Sequence, residues 1–301
     1  MRNLLLLTFI LALFSCSSPS EKSESIPLKS NVITTDEFEI HYAQKQAATL
    51  FLFPCFSCDL NQTKNEFKIL DSAYTNGISV VLLNFNFRLS LDSTEKRMLG
   101  DFLNEIMDYY QLPSQNITIG GYSGGGNVSL LLADYLISQN NKYQPNAVFA
   151  VDPPIDLWNI YRSSKLNIER NFSEPSVAES NLLIGLLDSI VGEKNHFPDS
   201  FAIHSPIVNE IQNYDNIAHL KSIKVRLYTE PDSIWWKENR QADFNQTNSY
   251  AQQQFFKNQQ TTFKQLELIE TQNKGIRGDG ARHPHSWSIV DQEELIEWIL
   301  K

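Results

Sequence analysis

The chain has 301 residues, 42% of them hydrophobic, and carries 35 acidic against 25 basic side chains for a net charge of −10. That balance argues against nucleic acid as a partner, because a phosphate-binding surface needs an excess of clustered Lys and Arg. Residues 32–301 are enough for one sizeable domain, with no internal repeat and no further stretch of membrane-spanning length.

Residues 1–15 carry Arg2 near their start and continue as a run rich in Leu, Phe, Ile and Ala. The run is too short to span a bilayer as a mature helix and suits a signal-peptide core. Leu13-Phe-Ser-Cys16 resembles a bacterial lipoprotein box, in which Cys16 becomes the lipidated first residue; an ordinary cleaved signal with an incidental cysteine is the alternative. Residues 16–31, rich in Ser, Glu, Lys and Pro, have the composition of a flexible tether. The expected place is the bacterial cell envelope, periplasmic or surface-exposed, with the membrane reached through an N-terminal lipid anchor.

From there strand and helix signals alternate. Residues 32–42 suggest a hairpin arm at a sheet edge, and residues 49–53 a buried strand ending at Pro54. A helix is expected over 61–76, with Phe67, Leu70 and Tyr74 on one face and Gly77 as its stop, then a buried strand over 78–83. Asp92-Ser-Thr-Glu95 has the form of a capping box opening a helix with Leu99, Phe102, Leu103 and Ile106 as its apolar stripe. After a strand at 117–119 come five glycines interrupted only by Tyr122 and Ser123, then an apolar helix to about Gln139 and a strand at 147–151. Residues 156–220 break the rhythm with short helical pieces, notably 176–191, and no clear strand. Alternation resumes with a strand at 223–228, a polar helix at 246–257, a strand at 263–269 and a closing helix at 292–300. Such alternation implies a mostly parallel sheet flanked by helices, an α/β architecture, with 156–220 an insertion above the strands' C-terminal edge.

Gly121-Tyr-Ser-Gly-Gly125 fits G-x-S-x-G, the strand–sharp turn–helix that forces a serine to the tip of a strained elbow. The residues two before and two after it must be nearly free of side chain, and both are glycine. The N–H of Gly124 then sits at the positive end of a helix, where it can stabilise an oxyanion. A dinucleotide loop would need G-x-G-x-x-G after the first strand with an acidic residue about 20 positions on, and a P-loop would need Gly-Lys-Ser/Thr; neither is present.

At this point the chain resembles the α/β-hydrolase superfamily, from about Thr49 to the C-terminus, through the elbow, the strand–helix rhythm, the inserted cap and the order of catalytic residue types. The resemblance implies Ser123 as nucleophile, followed in chain order by an acid and a histidine. The strand ending near Tyr228 runs into Thr229-Glu-Pro-Asp232, and the loop before the last helix holds Arg282-His-Pro-His-Ser-Trp287. Asp232 is the first choice of acid, Glu230 the second and Asp152 the third; a helix-capping or solvated carboxylate is the alternative reading of each. His285 is the first choice of base and His283 its competitor, the other four histidines lying elsewhere. The second oxyanion donor should come from the loop after the first buried strand, Phe53-Pro-Cys-Phe-Ser-Cys-Asp59, with Phe56 as the choice. Cys55 and Cys58 on that loop suggest a local disulfide, with two free thiols the alternative. Trp235 and Trp236 either line the cleft or pack under the cap.

The function implied is a serine hydrolase cleaving an acyl bond of a small-molecule substrate through a Ser-His-Asp triad and an acyl-enzyme. A carboxylic ester ranks first, with peptide and thioester substrates open and no metal or cofactor required. Two alternatives stand: a catalytically inactive relative that binds a ligand or envelope partner, and a peptidase whose cap carboxylates, among Glu169, Glu174 and Glu179, hold a substrate amine.

Overall fold

The computed structural model describes residues 32–192 and 196–301. The expected signal peptide, the expected lipidation site Cys16 and the expected tether fall outside them. Eight strands form one sheet: β1 (Val32–Thr34), β2 (Phe38–His41), β3 (Ala48–Phe53), β4 (Ile78–Leu83), β5 (Ile117–Tyr122), β6 (Ala147–Val151), β7 (Lys224–Thr229) and β8 (Gln265–Glu270). Their order is β1-β2-β4-β3-β5-β6-β7-β8. The first two strands form an antiparallel edge arm, and every pairing from β4 to β8 is parallel. All residues of β3, β4, β5 and β6 are buried. That is why they read as continuous apolar runs without alternation: parallel strands with helices on both faces have no wet side.

The flanking helices are α1 (Leu60–Glu66), α2 (Leu70–Thr75), α3 (Ser93–Tyr110) and α4 (Gly124–Ser138) before β6. Between β6 and β7 lie α5 (Leu157–Arg170), α6 (Glu174–Val191) and α7 (Pro198–Phe201), and after β7 come α8 (Ser233–Arg240), α9 (Asn248–Gln259) and α10 (Gln292–Leu300). Helix α3 begins with the expected capping box, Asp92 accepting from the Glu95 N–H and Glu95 from the Asp92 N–H. Among its described residues the inserted segment contributes helices and isolated bridges but no strand of the sheet. Most boundaries differ from expectation by one or two residues, the ordinary fraying of element ends.

One expected helix is two. Residues 61–76 break at Phe67, whose backbone is extended (φ −115°, ψ 97°). Phe67 and Ile69 are both fully buried, and helical spacing would turn two residues so close in sequence to nearly opposite faces. Leaving the helix lets both reach the core, where the Phe67 ring stacks on Trp287 with centroids 4.3 Å apart.

Candidate active site

Strand β5 ends at Tyr122 and α4 starts at Gly124, so the chain reverses direction on Ser123 alone. Ser123 sits at φ 55°, ψ −124°, a region that costs a non-glycine residue about 1–3 kcal/mol and persists only where the surroundings enforce it. Here the Ser123 N–H donates to the Val151 carbonyl at 2.9 Å and the Gly126 N–H returns to the Ser123 carbonyl at 2.9 Å. The neighbouring backbones leave no room beside it. A Cβ on Gly121 would lie 2.3 Å from the Gly125 carbonyl oxygen, and one on Gly125 would lie 2.1 Å from the Pro54 oxygen. The glycine spacing read from the sequence is therefore a steric requirement of the strand–helix crossing.

Ser123 opens into a cleft of about 1090 Å³, which His285 also lines. The His285 ring is braced by Tyr122 at 4.7 Å between centroids, and Tyr122 by Trp287 at 5.1 Å. Burial pushes the Tyr122 phenol well above its ordinary range, with Arg277 pulling the other way, so the ring serves as a neutral wall.

The partner of His285 is Asp152. Its Oδ2 lies 2.6 Å from His285 Nδ1, which assigns the proton to Nδ1 and leaves Nε2 as the basic nitrogen. Asp152 is the residue after β6 and has φ 41°. Its carboxylate is buried and also accepts from Thr229 Oγ1 at 2.8 Å, Gln252 Nε2 at 3.1 Å and Asn248 Nδ2 at 3.4 Å. Four donors around one buried carboxylate compensate its desolvation and fix its orientation.

This corrects the first choice of acid. Asp232 is the N-cap of α8: its Oδ1 accepts from the Trp235 N–H at 2.9 Å, while Oδ2 takes Arg282 at 2.7 Å. The physical reason is local, since Asp-Ser-Ile-Trp starts a helix and the carboxylate closes on the helix's own free N–H groups. Glu230, the second choice, is 1% exposed. It accepts from Thr271 Oγ1 and the Lys274 and Gly275 N–H groups, and pairs with Arg282 at 2.5 Å. Glu230 thus secures the backbone of the loop that carries His285, Asp232 holds that loop's Arg282 side chain, and neither reaches the His285 ring.

His283 has a different place from the one weighed for it. Its Nδ1 accepts the His285 backbone N–H at 3.1 Å, and its ring packs on Trp235 at 4.4 Å and Trp236 at 5.7 Å. Burial, then the neighbouring His285, Arg277 and Arg240, lower its pKa to about 2. It is a neutral acceptor in the loop. Of the two tryptophans, Trp236 lines the cleft, and both pack on this histidine of the loop before the last helix.

The two nominated oxyanion donors are neighbours. The Phe56 Cβ lies 3.4 Å from where a Cβ on Gly124 would be, and neither residue's N–H has a hydrogen-bond partner among the described residues. The Phe56 carbonyl accepts from the Phe87 N–H at 2.5 Å, and Asn86 Nδ2 donates to the Cys58 carbonyl at 2.9 Å. Cys55 and Cys58 are joined in a disulfide that brackets Phe56. Of the cap carboxylates, Glu179 lines the cleft, whereas Glu169 and Glu174 do not.

The residues missed as a set were Thr229, Asn248 and Gln252, which surround Asp152. The available signal was Asp152 itself, directly after the buried strand Ala147–Val151, where catalytic groups of parallel sheets gather.

No protein-family model matches the chain, and a search of curated proteins finds no match. Similar solved structures include a fluorophosphonate-binding serine hydrolase of Staphylococcus aureus, 12% identical, covering 88% of this chain and 92% of that one at a TM-score of 0.51. Esterase B from Lactobacillus rhamnosis is 14% identical over 87% of this chain and 80% of its own, TM-score 0.54. An S-formylglutathione hydrolase from Agrobacterium tumefaciens is 8% identical over 89% and 92%, TM-score 0.53. With the eight-stranded, mostly parallel sheet and its flanking helices, these likenesses show that the chain has the α/β-hydrolase fold.

Proposed function

We propose that this protein is a serine hydrolase that cleaves an acyl bond, a carboxylic ester first among the candidates, with Ser123 as nucleophile, His285 as general base and Asp152 as the acid that orients it. The observation that carries the reading is the 2.6 Å contact between His285 Nδ1 and the buried Asp152 carboxylate in the cleft where Ser123 stands on its elbow. The chain order Ser, Asp, His is retained with Asp152 in place of Asp232. The esterases and serine hydrolases among the similar structures support the same reading.

In this mechanism Ser123 Oγ attacks the acyl carbonyl as its proton passes to His285 Nε2. Asp152 holds the imidazole in the required tautomer and stabilises the imidazolium. The Gly124 and Phe56 N–H groups receive the oxyanion, a contribution worth roughly 10²–10³ in rate per donor. The leaving group departs with the proton from His285, and water then releases the acyl group from Ser123.

The test is labelling of the purified protein with a fluorophosphonate probe beside Ser123→Ala. Labelling lost in the variant supports the reading; a folded wild-type protein that takes no label overturns it in favour of a ligand-binding relative. The peptidase alternative has Glu179 on the cleft wall in its favour, and preference for amino-acid amides over simple esters would select it. The envelope location and membrane anchoring through Cys16 stay a proposal from the sequence. Incorporation of labelled palmitate that is lost in Cys16→Ala tests it.

A further inference from the structure

The ceiling of the cleft is made by α5 and α6. On α5, Ile160, Ser163, Ser164 and Asn167 line it at the i, i+3, i+4, i+7 spacing of one helix face. On α6, Ser176, Glu179, Ser180 and Leu183 do the same. Inward positions of this kind ordinarily hold apolar side chains. Here Ser163, Ser164, Ser176 and Ser180 are 7%, 2%, 4% and 2% exposed. None of the four hydroxyls bonds to another group among the described residues, and none is a buried atom lacking a partner, so each Oγ is open to the cleft. With the rest of each residue packed away, these hydroxyls give the ceiling a row of donors and acceptors turned to the cleft, which water satisfies when it is empty and the hydroxyls of a bound molecule can satisfy when it is filled.

The wall is also divided. Three residues, 171–173, join α5 to α6 and the helices pack together, so they run antiparallel. Ser163, Ser164 and Asn167, in the middle and last turns of α5, therefore meet Ser176 and Ser180 in the first turns of α6. Ile160 and Leu183 fall at the other end, where they cluster with Leu89 and Phe56 of the oxyanion side. The hydroxyl end is bordered by Gln246, whose Oε1 takes Arg170 at 2.7 Å, and by Asn248, which donates to Asp152. It thus adjoins the acid–histidine side.

We propose that the apolar end beside Phe56 receives a short acyl chain and that the hydroxyl-lined end receives a hydroxyl-rich leaving alcohol, a carbohydrate or comparable polyol. This rests on the Ser123–His285–Asp152 reading, because His285 protonates the departing alkoxide and so the alcohol leaves on its side. The reaction balances as ester plus water giving carboxylic acid plus polyol. The ester C–O bond breaks as the acyl–Ser123 bond forms, His285 passing the Ser123 proton to the alkoxide; water then cleaves the acyl–Ser123 bond, and His285 passes one of its protons back to Ser123.

The experiment compares kcat/KM for 6-O-butanoyl-glucose and hexyl butanoate, which share an acyl group and differ in the alcohol. Wild type should prefer the sugar ester by roughly 30-fold or more, since a site built to hydrogen-bond substrate hydroxyls rejects an analogue lacking them. The double variant Ser164→Ala/Ser176→Ala should lower that ratio by about tenfold or more. A ratio taken within one variant is independent of how much of it folds. A wild-type ratio near one, or a preference for the hexyl ester, overturns the inference and leaves the hydrolase reading intact. So does a sugar preference that the double variant leaves unchanged, because the ceiling would not be its source. Turnover of neither ester with Ser123 still labelled by fluorophosphonate also overturns it, and loss of labelling overturns both readings together.

Discussion

Replacing Asp152 by Asn removes one charge and leaves the shape, and the structure says which way the amide will turn. Oδ1 is held by Thr229 Oγ1 and Gln252 Nε2, both donors, at 2.8 and 3.1 Å. The Asn carbonyl oxygen will take that position, and its NH₂ group will face His285 Nδ1. A donor there selects the imidazole tautomer with the proton on Nε2, which cannot accept from Ser123. The orienting carboxylate of a triad is worth about 10⁴ in kcat when lost this way, and each factor of ten is about 1.4 kcal/mol of barrier. Asp152→Asn should therefore lower kcat for p-nitrophenyl butyrate by roughly 10³–10⁴, about 4–5.5 kcal/mol, with KM changed by only a few-fold. Asp232→Asn is the contrast. Asn still caps α8, and Arg282 keeps Glu230 at 2.5 Å, so kcat should stay within about threefold, since Arg282 loses only one of its two carboxylate partners. The readouts are kcat and the second-order rate of fluorophosphonate labelling, measured on variants with wild-type melting behaviour. A loss of 10³ or more in Asp232→Asn with less than tenfold in Asp152→Asn would refute the assignment.

Two further outcomes follow from the loops around the site. With the His283 pKa lowered to about 2 from the ordinary 6.5, the unfolded chain binds a proton there that the folded chain refuses. Stability from this group is full above pH 6.5 and falls as pH drops below it, by up to about 1.4 kcal/mol per unit. Urea midpoints measured between pH 7 and pH 5 should decline less steeply in His283→Asn, which keeps an acceptor for the His285 N–H. An unchanged slope would mean that His283 is not held neutral by the fold. The Cys55–Cys58 disulfide closes a four-residue loop around Phe56, a constraint worth about 2 kcal/mol in the unfolded-chain model. The paired variant Cys55→Ser/Cys58→Ser should lower kcat by roughly ten- to a hundredfold by loosening one of two oxyanion donors, with KM little changed; kcat equal to wild type would remove Phe56 from the oxyanion site.

What could be read from the letters was whatever a short window enforces. The elbow was legible because its steric demand falls on residues two positions either side of Ser123, and the fully buried strands because they carry no polar alternation. The break at Phe67 was not, because what ends that helix is Trp287, more than two hundred residues away, offering a ring to stack on. The acid failed for a related reason. Asp152, Glu230 and Asp232 all stand at the C-terminal ends of adjacent parallel strands, β6 and β7, and a one-dimensional pattern gives each the same credentials. Geometry separates them. Strand β6 is flanked by β5, which ends in Ser123, so a carboxylate at its tip lies beside the nucleophile; the tip of β7 is one strand further out. From there a carboxylate meets the backbone of residues 274–275 and the Arg282 side chain. The division of labour then has a physical logic: the inner carboxylate orients the ring of His285, and the outer pair fixes the chain that presents it. A histidine loop carried so far from its acid in sequence needs both, because an imidazole held at Nδ1 alone can still swing with a mobile backbone, and a base displaced by an ångström loses much of its advantage.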